Sequence, residues 1–169
     1  MNAMIQPIIE SFRLSSFVVE LQTGGLTDEQ AQQRPNDGKG ASIAWTLGHL
    51  CDYRVKLMNV FGAGKGSAYA EYATKSAAEI ASYPSVEELR ADWKTIAADL
   101  EGVLQEVTDE QLLAAAPAEA AVHGEKRMLD AMIFYPWHES YHLGGVGRIR
   151  TELGLTPTAD LAMAASRGA

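Results

Sequence analysis

The sequence contains a single cysteine, Cys51, and no apolar run that approaches the roughly 18 residues needed to span a membrane. One cysteine cannot form a disulfide within the chain, so packing has to stabilise the fold. The first residues also lack the basic segment, apolar run and small-residue cleavage site that make up a secretory signal. These absences favour a cytoplasmic protein, and we expect that location.

Positive charge is scarce as well. The 169 residues include 14 Lys and Arg against 22 Asp and Glu, which gives a formal net charge of −8. Binding to nucleic acid or to an anionic membrane surface favours clustered Lys and Arg. We therefore expect neither of these partners, and a small-molecule substrate is the partner that remains.

Strand patterns are missing too, because no segment alternates polar and apolar residues convincingly. Apolar residues instead recur at helical spacing in four long segments. The predicted helices span the following ranges: 4–21, 42–61, 85–107 and 126–153. Helices of this length with one apolar face are typical of a four-helix bundle.

Local signals place the helix ends. Ser42 and Ser85 stand where an N-cap is expected, and Thr27 and Thr108 open capping boxes that predict two short connecting helices. We predict an all-α fold, a four-helix bundle with short connecting helices, as a single domain over residues 1–169. Residues 36–40 are expected to form a loop and the tail 156–169 to be weakly structured. Pro136 should kink the fourth helix one turn before two histidines.

These histidines, His138 and His142, are spaced at i and i+4, so they lie one turn apart on the same helix face. Two imidazoles held in this way can bind one transition metal ion at about 2.0–2.1 Å each. Tyr135 and Ile149 are core-type residues on the same face, so the pair should point towards the interior. Because buried histidines without partners are costly, a metal ion would stabilise both.

The same stretch matches the metalloprotease motif H-E-x-x-H, in which Glu139 would be the general base. The longer motif of many such proteases continues to a third histidine, but Arg148 occupies that position here. No strand is available to hold a peptide substrate, so the metalloprotease is the weaker alternative. Glu139 is a candidate catalytic base, although an ion pair with an arginine is the favoured interpretation of this residue.

A third ligand can come from a facing helix of the bundle. His49 is the other histidine on a predicted helix, since His123 precedes the fourth helix in a loop. His49 lies on the flank of its apolar stripe, so a structural histidine bonded to a backbone carbonyl is the alternative. Three neutral imidazoles would leave an open coordination position, as in catalytic zinc sites. Zinc or nickel is expected first, and iron or manganese is also compatible.

Three stretches of the sequence carry a family resemblance: SIAWTLGHL at 42–50, WHESYHLG at 137–144 and RTELG at 150–154. Together they resemble the DinB superfamily of DNA-damage-inducible metalloproteins. The resemblance implies a four-helix bundle, commonly a homodimer, with a divalent metal ion on three histidines: His49, His138 and His142. Gly145 departs from the family pattern, which often has glutamine there.

Characterised members of that family are transferases and isomerases that use low-molecular-weight thiols, and many others are regarded as metal-dependent hydrolases. The resemblance therefore implies a metal-dependent enzyme acting on a small molecule, as a thiol-dependent transferase or isomerase or as a hydrolase. The open metal position would polarise a water or a thiol and lower its pKa. The alternative is a non-catalytic stress-response protein that binds a metal or ligand, with a fourth protein ligand closing the site.

Overall fold

The computed structural model describes residues 3–167, and helices dominate this part of the chain. The four long helices are α1 (Gln6–Thr23), α4 (Ile43–Val60), α5 (Val86–Gln105) and α8 (Phe134–Glu152). The shorter helices are α2 (Asp28–Gln32), α3 (Pro35–Gly38), α6 (Asp109–Leu113), α7 (Met128–Met132) and α9 (Thr158–Arg167). Within residues 3–167, pairing of the β type is limited to an isolated bridge between Ala115 and Arg127. The predicted all-α bundle is confirmed.

The long helices pack in a ring whose order differs from the order in the chain. Helix α1 packs against α5 and α8, and α4 also packs against α5 and α8. The first and second long helices are therefore diagonally opposite each other. None of the described helices is both long and apolar enough to cross a membrane.

Two apolar clusters fill the bundle, one towards each end. The first joins the beginnings of α1 and α8 to the ends of α4 and α5, and includes Ile9, Leu57 and Leu104. The second joins the opposite ends of the same helices, and includes Leu47 and Leu89. Consequently α1 runs parallel to α8 and antiparallel to α4 and α5. Two buried charged residues, Arg54 on α4 and Glu139 on α8, lie between the two clusters along their helices.

The predicted N-caps are present in the structure. Ser42 accepts a hydrogen bond from the backbone N–H of Trp45 at 3.1 Å and starts α4. Ser85, Thr27 and Thr108 each form a reciprocal capping box. These bonds satisfy backbone donors that have no partner within the first turn of a helix, and so fix where each helix begins.

The fourth long segment is divided rather than kinked. Helix α7 ends at Met132, Ile133 joins it to α8, and Pro136 lies in the first turn of α8. Proline has no N–H to donate to the carbonyl four residues earlier, which belongs to Met132. The discontinuity therefore falls one turn before the proline, and the predicted helix start at residue 126 moves to Met128.

Two other segments are more helical than expected. Residues 35–38 form a single turn, α3, which overlaps the predicted loop 36–40. The tail also differs from expectation, because residues 158–167 form α9, which packs against α1. None of the α9 side chains is buried. A surface contact with α1, rather than a place in the core, therefore holds this helix.

Gly48 allows a close approach to helix α4, one residue before His49. A Cβ at this position would lie 2.6 Å from a ring carbon of Tyr72. We expect Gly48→Ala to destabilise the protein by about 1–3 kcal/mol, as overpacked cores do. Gly102 on α5 is the matched control, because a Cβ there meets nothing within 4 Å. Gly102→Ala should stabilise by about 0.5–1 kcal/mol, and urea denaturation measures both; equal effects would contradict the packing assigned to Gly48.

Candidate metal centre

Two helices bring three histidines together at the middle of the bundle. His49 lies on α4, and His138 and His142 lie on the facing helix α8. His49 and His138 are each 8% exposed, and His142 is partly buried. The three residues that the sequence singled out as metal ligands are thus adjacent in space.

The nitrogen atoms of these rings converge on one point. The Nε2 atom of His138 lies 3.3 Å from that of His49 and 3.1 Å from that of His142. The three ligand atoms all lie within 4.8 Å of one another. Four-coordinate zinc with Zn–N bonds of about 2.0–2.1 Å separates its nitrogens by about 3.3–3.4 Å. The donor set fits a divalent transition ion with small adjustments of the rings.

The backbone orients His49 for this arrangement. Its Nδ1 atom is 3.1 Å from the carbonyl oxygen of Tyr72. Because a carbonyl can only accept, Nδ1 carries the proton and Nε2 presents a lone pair to the other histidines. Such a second hydrogen bond typically fixes the tautomer of a metal-binding histidine. His49 thus has the carbonyl partner of the structural alternative as well as the geometry of a ligand.

Burial keeps all three imidazoles neutral at pH 7. Desolvation, followed by the repulsion of neighbouring histidines, lowers the pKa of His138 to about 3. Desolvation and then the charge of His49 lower the pKa of His142 to about 4. The pKa of His49 is also lowered, mainly by burial. Neutral imidazole is the form that binds metal ions, so protons compete weakly for this site.

Aromatic side chains surround the rings. Trp45 stacks on His49 with ring centroids 4.8 Å apart, and Tyr53 lies 4.3 Å from His138. Phe134 stacks on the same histidine at 5.1 Å. These contacts restrict rotation of the imidazoles, and they surround them with groups of low polarity. The wall of the site is therefore mainly aromatic.

Among residues 3–167, the cluster of potential metal ligands consists of the three histidines, and no carboxylate or thiol belongs to it. Cys51 is buried elsewhere in the apolar core, and burial raises the pKa of its thiol to about 12. His123 is exposed in the loop before α7. Three protein ligands leave at least one coordination position open to a water or a substrate.

Glu139, the candidate base, is bound to an arginine that the sequence analysis did not identify. Its two oxygens accept hydrogen bonds from Nε and Nη2 of Arg54 at 2.6 and 2.9 Å. The side chains are 3% and 1% exposed, respectively. The ion pair that was the favoured interpretation of Glu139 is therefore present, and the residue faces the core rather than the histidine nitrogens.

The sequence does contain a signal for Arg54. The apolar stripe of α4 includes Leu50 and Leu57, and Arg54 occupies the stripe position between them. A charged residue at a core position needs a buried partner of opposite charge. Glu139 is such a partner on the facing helix, so the pair could have been proposed from the two positions together.

Two further arginines, near the end of α8, have structural contacts. Arg150 is buried and donates to the backbone carbonyls of Gln22 and Thr156. Arg148 is exposed and pairs with Glu152 one turn along α8 at 2.7 Å. Neither side chain belongs to the histidine cluster.

A groove of about 750 Å³ lies on another side of α8. Helices α1, α8 and α9 form it, and its lining includes Leu14, Gln22, Trp137 and Ser140. Ser140 is about 200° around the helix from His138 at 100° per residue. The groove is therefore separate from the histidine cluster.

Fold and site together describe a helical bundle with a three-histidine cluster between its facing helices. The sequence model of the DinB superfamily matches residues 19–146, which include all three histidines. The chain belongs to the DinB superfamily. A search of curated protein sequences found none that matches it.

The fold is similar to that of a solved structure from Bacillus subtilis. YfiT, described as a probable metal-dependent hydrolase with an unusual four-helix bundle topology, superimposes with a TM-score of 0.66 at 14% identity. The match covers 92% of this chain and 91% of that chain. At this identity the likeness shows the fold.

The lowered pKa values predict an acid-sensitive apo-protein. In the unfolded chain a histidine titrates near pH 6.5, whereas His138 and His142 stay neutral in the folded protein to about pH 3 and 4. Below pH 6.5 the unfolded state therefore binds more protons, and stability should fall from pH 6.5 to 5. His138→Asn should reduce this slope. Urea midpoints of metal-free protein at several pH values test this, and equal slopes would contradict it.

Proposed function

We propose that the chain is a metal-dependent enzyme that holds a divalent transition ion on His49, His138 and His142 and hydrolyses a small molecule. The observation that carries the proposal is the convergence of the three imidazoles: Nε2 of His138 lies 3.3 Å from that of His49 and 3.1 Å from that of His142, and all three ligand atoms lie within 4.8 Å. No carboxylate or thiol among the described residues belongs to the cluster. Membership of the DinB superfamily and the fold shared with YfiT support it.

The residues of the chain have separate tasks in this mechanism. His49 is held in one tautomer by the carbonyl of Tyr72, and burial keeps His138 and His142 unprotonated. A bound divalent ion would supply a Lewis acid that lowers the pKa of a water or a thiol in the open position. The aromatic wall excludes bulk water from one side and so strengthens electrostatic interactions within the site.

Zinc or nickel is the ion we propose, because imidazole ligands suit both, and iron or manganese is the alternative. A thiol-dependent transferase or isomerase would use the same open position, with a low-molecular-weight thiol in place of water. A non-catalytic metal-binding protein would instead be favoured by a fourth protein ligand, which the described part of the cluster lacks. Enzyme activity is therefore the function we propose.

Removal of each histidine tests the metal site. We expect His49→Ala, His138→Ala and His142→Ala each to abolish stoichiometric metal binding, because two imidazoles alone hold a divalent ion poorly. His123→Ala is the matched control, since this histidine lies in an exposed loop. Elemental analysis gives the stoichiometry, and circular dichroism should show unchanged helix content in all four variants. Full occupancy in any of the first three would remove that residue from the site.

The same proteins distinguish the possible reactions. A chelator should abolish hydrolysis of a panel of small esters and amides, and added zinc or nickel should restore it. Turnover that requires added thiol would identify the transferase instead. A metal-loaded protein inactive with and without thiols would favour the non-catalytic alternative. If His49→Ala lowers the urea midpoint of the apo-protein but leaves its metal affinity unchanged, His49 is a structural residue and not a ligand.

We also propose that the protein is a homodimer through the face formed by α1, α8 and α9. Large apolar side chains are exposed there: Leu14, Phe17, Ile133, Trp137 and Met163 are each 47–63% exposed. Exposed apolar patches of this kind often mark protein interfaces. Of the three nearby glycines, Gly147 serves packing within the chain, because a Cβ there would lie 3.1 Å from Thr158 Oγ1. Gly144 and Gly145 face open space.

A charge placed on this face should separate the two subunits. We expect Leu14→Glu to convert a dimer to a monomer at micromolar concentration, because it would bury an unpaired carboxylate. Leu113 is a matched control, since it is 50% exposed at the end of α6 and away from this face. Leu113→Glu should leave the mass unchanged in light scattering. A monomer mass for the unsubstituted protein would refute the proposal.

A further inference from the structure

We infer that the buried ion pair between Arg54 and Glu139 positions the metal centre by fixing α4 relative to α8. The inference rests on the proposed metal site, and it assigns roles to two residues that do not touch the ion. Arg54 and Glu139 are positioning residues in this sense. Their position beside the histidines on α4 and α8 is the first observation behind this inference.

Arg54 contacts each of the other three long helices. From α4, its guanidinium bonds to both oxygens of Glu139 on α8. It also donates to Ser16 Oγ at 3.2 Å and to the carbonyl of Phe12 at 3.3 Å, both on α1. Its Cζ atom lies 3.9 Å from the centre of the Trp93 ring on α5. One side chain therefore links all four helices at the level between the apolar clusters.

The ion pair and the histidine cluster join the same two helices close together. Glu139 follows His138 directly in the chain, and Arg54 is five residues after His49. The ion pair at 2.6 Å and the contact between the histidine nitrogens at 3.3 Å are therefore two neighbouring links between α4 and α8. Two links on rigid helices define both the axial offset and the rotation of one helix against the other.

A metal centre requires this accuracy more than an apolar core does. Ligand distances have to fall within about 0.2 Å of their ideal values, whereas apolar side chains can repack around small shifts of a helix. Arginine and glutamate bound through two parallel hydrogen bonds have a narrowly defined geometry. The pair thus provides the directional contact that the two apolar clusters cannot provide.

Stability alone does not explain the ion pair. Removing two charges from water costs several kcal/mol per ion, so replacing a buried pair with apolar residues of similar volume is often neutral or stabilising. Ser16, the carbonyl of Phe12 and the Trp93 ring compensate part of that cost here. If the pair fixes geometry but adds little stability, its removal should lower the affinity for the metal ion more than the stability of the fold.

The test compares two double variants. Arg54→Met with Glu139→Leu replaces the buried pair by apolar side chains. Arg13→Met with Glu101→Leu is the matched control, because this ion pair also joins two long helices, α1 and α5, but lies at the surface. For each protein, competition with a chromophoric chelator gives the zinc dissociation constant, cobalt absorption reports the ligand geometry, and urea denaturation reports the stability of the apo-protein.

We expect the buried double variant to bind zinc on the order of 10–100-fold more weakly, as when the outer partners of metal ligands are lost. Its cobalt spectrum should change while the apo-protein remains folded. The control should match the unsubstituted protein in zinc affinity and cobalt spectrum. Unchanged affinity and spectrum in a folded double variant would overturn the inference, even if its urea midpoint fell, since that pattern describes a purely structural pair.

Glu139→Gln provides a second measurement that does not depend on tolerance of the double change. It keeps the shape of the side chain and one oxygen acceptor, so the variant should fold and bind zinc roughly 10-fold more weakly. Unchanged zinc affinity here, with the double variant unfolded, would also overturn the inference. If the unsubstituted protein binds no metal ion, the proposed function itself fails, and this result is distinct from loss of binding confined to the variants.

Discussion

A guanidinium group in the interior constrains the whole bundle. Arginine does not lose its proton in proteins, so Arg54 remains charged although it is 1% exposed. An unpaired charge at this depth would cost several kcal/mol. The four helices therefore have to bring a carboxylate, a hydroxyl, a carbonyl and an aromatic face to the same level. Only Glu139 supplies an opposite charge among these partners, and it does so from the helix that carries two of the histidines.

The order of the helices around the bundle follows this requirement. Helix α4 packs directly on α5 and α8, and the long guanidinium side chain reaches α1 on the diagonal. The apolar clusters pack on either side of this level, and the histidines lie close to it, since Glu139 adjoins His138 in the chain. A ligand site in the core of a bundle needs such a layer, because purely apolar packing leaves no polar donors pointing inwards.

Local features of the structure could be predicted from the sequence, whereas most contacts between distant segments could not. Ser42 and Ser85 cap their helices as predicted because a cap depends on residues within one turn. The one-turn spacing of His138 and His142 is local in the same way. The ring order of the helices was not predictable from periodicity, since an apolar stripe does not specify which helix covers it. Helix α9 was missed although Leu161, Ala162 and Ala165 recur at helical spacing, because the helix that it packs on, α1, is distant in the sequence.

The motif H-E-x-x-H does not by itself determine the role of its glutamate. In a metalloprotease the glutamate is free to act as a base, whereas Glu139 has both oxygens bound to Arg54. The charges of that pair cancel, and the three imidazoles are neutral, so the ligands would not compensate the charge of a divalent ion. An ion held in this way acidifies a water or thiol more strongly than one bound by carboxylates or thiolates. Activation in this site would therefore depend on the charge of the ion rather than on a glutamate base.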